Sequence, residues 1–331
     1  MNWLITGGCG FIGSALIREL VKAGANKIRV VDNLSVGTPD SLAFTEVELV
    51  AADGFSDLDW DRSAIQICQS DIRDADAALK IAKGADIIVH LAANTGVPQS
   101  VEDPRTDCDT NIFGTFNYLE AARQNNVARF VFASSGAPVG EVEPPIHEEV
   151  VPHPVSPYGA SKLGGEAYCS VYYHCYGVQT MALRFGNVYG PGSLHKKSVV
   201  AKFLNEIINK EPITIYGDGS QTRDFIYIAD LIRAIVACSE KENIGGEVFQ
   251  IATSREVSVN EIAEALLEVV QGFGLSVPEV IYASARKGDV ARNYSDTSKA
   301  KKYLGWQAEM NLVEGLRETV QYFMDTRAAN S

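Results

Sequence analysis

Residues 2–13 constrain this chain more than any other stretch. Asn2–Thr6 is a short apolar run, and Gly7-Gly8-Cys9-Gly10-Phe11-Ile12-Gly13 follows it without a break. Ser14–Ala23 then reads as a helix. Strand, glycine turn and helix, in that order, form the context that a dinucleotide fingerprint requires. The glycines read two ways, as Gly8-x-Gly10-x-x-Gly13 or as Gly7-x-x-Gly10-x-x-Gly13. Either spacing lets the backbone approach a pyrophosphate at the positive end of a helix. A second apolar strand, Lys27–Val31, ends in Asp32, 19 residues after Gly13. A carboxylate there accepts hydrogen bonds from a ribose 2′-hydroxyl and repels a 2′-phosphate, which selects NAD over NADP. The plainer alternative is an aspartate that caps a loop.

The pattern continues as alternating strands and helices. Residues 34–66 are loop-rich and acidic, and no chemistry is read there. Ile65–Ser70 reads as a strand followed by Asp71-Ile72, and Asp71 can reach an adenine or cap a helix. Ile87–Leu91 is apolar throughout, as a parallel strand covered on both faces should be. Ala92 and Ala93 after it are small enough for a cofactor to lie against backbone. His90 is read as a structural strand-end residue. Asp103–Gln124 reads as a long helix opening on Asp103-Pro104. Val131–Ser135 is the next strand, and Thr180–Arg184 the sixth. Parallel sheets bind ligands beyond the carboxyl ends of their strands, which places Ser135 like a catalytic hydroxyl. Glu141–Pro154 reads as a surface loop.

Tyr158 and Lys162 stand one helical turn apart in Val155-Ser156-Pro157-Tyr158-Gly159-Ala160-Ser161-Lys162 and share a face. An ammonium beside a phenol favours the phenolate, so the tyrosine is expected to titrate below its usual value of about 10. A phenol tuned toward neutral pH can serve as general base or acid. Alone, the pair is commonplace; with the glycine turn, Asp32 and Ser135 it is not.

Composition narrows the partners. The chain has 331 residues and a net charge of −13, which argues against nucleic acid. Its six scattered cysteines contain no C-x-x-C, so neither a zinc site nor a disulfide framework is indicated. No metal site is expected. No apolar run approaches the roughly 20 residues of a membrane span. With a strand opening almost at Met1, no signal peptide is expected, and the cytoplasm is the default location.

Together these landmarks resemble the extended short-chain dehydrogenase/reductase superfamily. Within it the chain looks like the NAD-dependent nucleotide-sugar epimerases and dehydratases, most of all the UDP-hexose and UDP-hexosamine 4-epimerases. The resemblance runs from Thr6-Gly7-Gly8 to Leu304-Gly305-Trp306. It implies an α/β fold: a Rossmann-type doubly wound parallel sheet with a smaller, interleaved α/β substrate-binding domain. The NAD-binding part would take residues 1–186 plus about 223–242, and the nucleotide-sugar part about 187–222 plus 243–331. The implied catalytic set is Ser135, Tyr158 and Lys162. The implied cofactor contacts are Gly7, Gly10, Phe11, Ile12, Gly13, Asp32, Asn33, Asp71, Ile72, Leu91, Ala92 and Ala93, with Tyr158 and Lys162. On the substrate side, Asn187 and Arg223 match residues that contact a nucleotide diphosphate. Arg286 and Asp289, in Arg286-Lys287-Gly288-Asp289, match a diphosphate arginine and a ribose acid. Guanidinium forks fit phosphate oxygens bidentately. Relatives commonly form homodimers through the helices matching 103–124 and 158–176.

The implied reaction removes the proton of a sugar hydroxyl with Tyr158 and inverts carbon 4 by oxidation and reduction. Dehydratases of this family carry Thr-Asp-Glu after the fifth strand, and decarboxylases a glutamate. Here the run is Ser135-Gly136-Ala137, and Ala137 cannot move a proton. That favours a 4-epimerase acting on a UDP-sugar over a dehydratase or a decarboxylase; a net reductase or dehydrogenase is a further alternative, and the intact Ser135, Tyr158 and Lys162 set argues against a sensor that binds NAD without turnover. Pro138-Val139-Gly140 departs from the family's Val-Tyr-Gly. Asn293 falls where a residue borders the 2-substituent of the sugar, and its small size leaves room for an N-acetyl group. A uronic acid is the rival, with His195, Lys196 and Lys197 as its counter-charge.

Overall fold

Short runs of apolar residues build the frame. The computed structural model describes residues 1–329 apart from 26, 194, 195, 197 and 286–289. The strands β1 (Trp3–Thr6), β2 (Ile28–Asp32) and β5 (Ile87–His90) are buried at every position, as strands covered on both faces must be. Trp3 and Ile5 enter one hydrophobic cluster and Leu4 the other, because successive side chains point to opposite faces. With β3 (Val47–Val50), β4 (Ile65–Gln69), β6 (Arg129–Ser135), β7 (Gln179–Phe185) and β12 (Glu247–Ile251) they form a sheet in the order β12-β7-β6-β5-β1-β2-β4-β3. Every pairing in it is parallel.

Helix α1 (Phe11–Lys22) packs with α8 (Ile228–Glu240) on one face. The other face carries α2 (Ala75–Ile81), α3 (Val97–Glu102), α4 (Pro104–Cys108), α5 (Gly114–Gln124) and α6 (Pro157–Tyr176). The sheet is therefore doubly wound, and strand order reverses between β1 and β5. Ligands bind at such a reversal, beyond the carboxyl ends of the strands.

The remaining elements are β8 (Asn187–Tyr189), α7 (Val199–Ile208), β9 (Ile213–Tyr216), β10 (Thr222–Arg223), β11 (Phe225–Tyr227), β13 (Val257–Ser258), α9 (Val259–Gly272), β14 (Val280–Ala283), α10 (Ser298–Leu304) and α11 (Leu312–Ala329). They make three two-stranded pairs, β8–β11, β9–β14 and β10–β13, beside the reversal point.

Four details differ from the expectations. Val47–Val50 is a strand inside the stretch read as loop; it is an edge strand, half-exposed and flanked by acidic residues, so its apolar signal is weak. Glu247–Ile251 hydrogen-bonds to β7 in the large sheet, although it lies beyond the expected boundary of that part. The helix expected over 103–124 is interrupted by a π-helical turn at Asp109–Phe113. There the Asn111 amide turns aside to bond the backbone of Asn94 in both directions, at 2.8 and 2.9 Å. Finally, the loop at 141–154 is tied down: Ile146 pairs with Ser295, its N–H donating to Tyr294 O at 2.9 Å.

Candidate active site

The glycine turn is shaped by backbone crowding. Gly7 has φ +69°, and a Cβ there would stand 2.8 Å from Ala92 N. A Cβ on Gly13 would meet Gly7 O at 2.3 Å and Gly8 Cα at 2.6 Å. Only glycine permits this approach. Gly10 caps α1, whose first turn carries no acidic side chain, so its free N–H groups face the cleft with their positive polarity intact. Asp32, at the end of β2, braces the turn: its carboxylate accepts from Cys9 N at 3.0 Å and Leu34 N at 2.9 Å. Burial raises its pKa, and these two bonds oppose the rise.

Around this turn, Asp71 is held down to about 2 by the Arg73 guanidinium and backbone, with Asn33 Nδ2 at 3.3 Å. It does not cap α2, whose first turn is capped by Asp74. Ala92 N donates to Thr6 Oγ1 at 3.2 Å. His90 bridges Thr6 Oγ1 at 2.9 Å and Thr115 Oγ1 at 3.2 Å, and burial pushes its ring down to about 3. It is a neutral structural residue, as expected.

Helix α6 delivers the reactive pair. The Ser156 hydroxyl caps it by accepting from Gly159 N at 3.1 Å, and Gly177 ends it with φ +73°. Gly165 lets the helix lie directly on β6, since a Cβ there would be 2.3 Å from the Phe132 ring. Lys162 Nζ donates to Ala133 O at 2.8 Å. Its ammonium lies 5.9 Å from the centroid of the Tyr158 ring. Burial lowers Lys162 to about 8. Tyr158 is pushed up to about 12, chiefly by burial, with a hydrogen bond to Ser135 as the opposing effect. This corrects the expected depression. In the protein alone desolvation of the phenolate outweighs the Ser135 hydrogen bond that opposes it.

One cleft is lined by Gly7, Gly10, Phe11, Ile12, Gly13, Asp32, Asn33, Asp71, Ile72, Leu91, Ala92, Ala93, Ser135, Tyr158, Lys162, Asn187, Arg223 and Asn293. The structure thus brings together both halves of the expected site. Arg223 Nη1 donates to Val290 O at 2.7 Å, which joins β10 to the segment carrying Asn293. The Asn293 amide lies 3.6 Å from where a Cβ on Gly136 would sit, beside the Ser135 turn. Arg286 and Asp289 lie outside the described residues, as do His195 and Lys197. Two groups escaped the sequence reading. Glu166 holds Arg184 bidentately at 2.8 and 2.7 Å and accepts from Ser134 Oγ at 2.5 Å. Asp107 is buried between α4 and α6. Each reads as a surface charge on a helix until tertiary packing covers it.

The family model described as the NAD dependent epimerase/dehydratase family matches residues 3–252. The UDP-glucose 4-epimerase of Thermotoga maritima, solved with UDP-glucose, superposes with a TM-score of 0.87 at 36% identity, covering 99% of this chain and 100% of that one. A UDP-N-acetylglucosamine 4-epimerase of Methanobrevibacter ruminantium, solved with UDP-N-acetylmuramic acid, gives 0.86 at 32% identity over 98% of each chain. The UDP-glucuronate 4-epimerase of Thermodesulfobacterium geofontis is 34% identical over 97% of this chain and 95% of its own length.

Proposed function

The chain belongs to the NAD dependent epimerase/dehydratase family, and from that premise we propose that it is a UDP-sugar 4-epimerase acting on UDP-hexoses or UDP-N-acetylhexosamines. Its cofactor is NAD, and the crowded glycine turn, the free N–H groups of α1 and the carboxylate of Asp32 fit it. Asp32 sets the preference for NAD. Stripped protein should bind NAD far more tightly than NADP, and Asp32→Ala should weaken NAD by about tenfold or more through lost charge-assisted bonds. Calorimetry showing equal affinity for the two dinucleotides in the wild type would remove Asp32 from this role.

The observation that carries the reading is the convergence of Ser135, Tyr158 and Lys162 on one cleft, with Ala137 where an eliminating enzyme needs an acid. A bound NAD supplies the hydride acceptor and donor at carbon 4. Tyr158 Oη takes the proton of the 4-hydroxyl and gives it back after the sugar has turned over. Ser135 Oγ hydrogen-bonds the same oxygen as its charge changes. Lys162 stabilises the phenolate by its charge. Asn187 and Arg223 hold the nucleotide diphosphate, a role shared with Arg286, and Asp289 serves the ribose. Incubation with a panel of UDP-sugars, with products identified by NMR, tests the reading. Inversion at carbon 4 is expected; a 4-keto-6-deoxy product, a pentose, or no turnover at all would overturn it.

Asn293, beside Gly136, supports acceptance of a bulky 2-substituent. Asn293→Tyr should cut turnover of the N-acetyl sugar by about tenfold or more through overpacking and spare UDP-galactose. Equal effects on both substrates would end its role as gatekeeper. A UDP-uronate is the second reading. Lys196 favours it: this ammonium lines the same cleft, 5.5 Å from the Phe11 centroid, and burial lowers its pKa. UDP-glucuronate in the panel separates the two.

A homodimer is also proposed. Tyr172 is buried, but Phe113, at the end of the π-helical turn that leads into α5, and Tyr168, Val171 and Tyr176 on α6 are exposed, apolar surface suited to a four-helix contact. Sedimentation as a monomer at micromolar concentration would exclude it.

A further inference from the structure

Lys162 is almost wholly buried at the wall of the cleft, and among the described residues its one hydrogen bond goes to the Ala133 carbonyl. The titratable groups facing it come from three elements. Helix α6 itself offers Tyr158, Glu166 and Cys169; β5 offers His90; α4 offers Asp107. Burial keeps His90 neutral and pushes the Cys169 thiol up, so neither carries charge at neutral pH. The charge of Glu166 is matched by Arg184. Asp107 is the exception.

Asp107 is 1% exposed. Its Oδ1 accepts from Asn111 Nδ2 at 2.8 Å, and its buried Oδ2 has no hydrogen bond among the described residues. Burial raises the pKa of this carboxyl, and the Ser161 hydroxyl beside it, Lys162 and Asn111 oppose the rise; Ser161 Oγ itself donates to Tyr158 O at 3.0 Å. A dry carboxylate oxygen without a donor is costly unless a cation compensates it, and the facing cation is Lys162. We propose that Asp107 is a positioning residue that faces Lys162 across the α4–α6 contact, holds it as the ammonium, and sets the proton balance of the Tyr158–Lys162 pair. The proposal rests on the reading of Tyr158 as the base.

The direction of its effect follows from sign alone. A carboxylate favours the ammonium and disfavours the phenolate. Asp107 is the largest influence opposing the fall of Lys162, and it adds to the rise of Tyr158. Removing its charge therefore lowers both titrations. Activity that needs Tyr158 ionised and Lys162 protonated then shifts as a whole to lower pH, both limbs together. A purely structural lesion lowers the rate and leaves the limbs in place.

The test uses NAD-loaded protein carrying tyrosine labelled with ¹³C at Cζ, the Tyr158 signal being identified by its loss in Tyr158→Phe. Asp107→Asn keeps an acceptor for Asn111, and Asp107→Ser provides a second neutral side chain. Both should lower the Tyr158 midpoint by about one pH unit, and Asp107→Glu should restore it. With an active UDP-sugar, both limbs of the pH–rate profile should follow. An unmoved midpoint in a folded neutral variant overturns the proposal. So does failure of both neutral variants to fold while Asp107→Glu folds, since that marks a structural role. If no UDP-sugar turns over, the epimerase reading fails, and the Tyr158 titration still judges Asp107.

Discussion

Tyr158→Phe is expected to lower turnover of the active UDP-sugar by about 10²–10⁴-fold, the usual contribution of a general base. The ring still fills its place against α6 and the strand ends, so the loss should fall on the rate and not on the fold. The substitution removes one hydroxyl and its bond to Ser135, a change worth only about 1 kcal/mol in stability. Bound NAD, measured after acid release, should be unchanged. Steady-state rates in the variant above half those of the wild type would show that another group takes the proton.

Glu166→Ala should produce the opposite signature, a large loss of stability. Glu166 and Arg184 are both buried and joined by two parallel hydrogen bonds, with Ser134 on the same carboxylate. Removing the acid leaves a guanidinium in a dry interior, where Arg184 Nη1 already lacks a partner among the described residues. Breaking such a pair from one side costs about 3–5 kcal/mol. Replacing both partners with methionine should cost much less, because no charge is stranded. Denaturant midpoints of the single and double variants test this. A single variant as stable as the double one would show that the pair contributes no more than its packing.

What was legible in the sequence was local. The glycine turn, Asp32 and the Tyr158–Lys162 turn announce themselves because spacing along one strand or helix puts their groups together. Non-local effects did not show. Lys162 is expected to lower Tyr158, but burial of the phenol, which no local spacing reveals, raises it instead. Asp107 and Glu166 read as ordinary helix-surface acids, since nothing in α4 or α6 alone reveals what covers them. The edge strand Val47–Val50 was hidden because half-exposed edge positions carry little apolar periodicity.

The place of β12 has a consequence for synthesis. This strand lies beside β7, yet some sixty residues of chain separate the two. A ribosome that has released residues 1–186 has made seven of the eight strands of the large sheet. The rim of β7 is then a row of unclaimed amides and carbonyls. Such a rim invites pairing with any extended chain nearby. Fragments that stop short of Ile251 should therefore aggregate more readily than the full chain, although they contain the glycine turn, Tyr158 and Lys162.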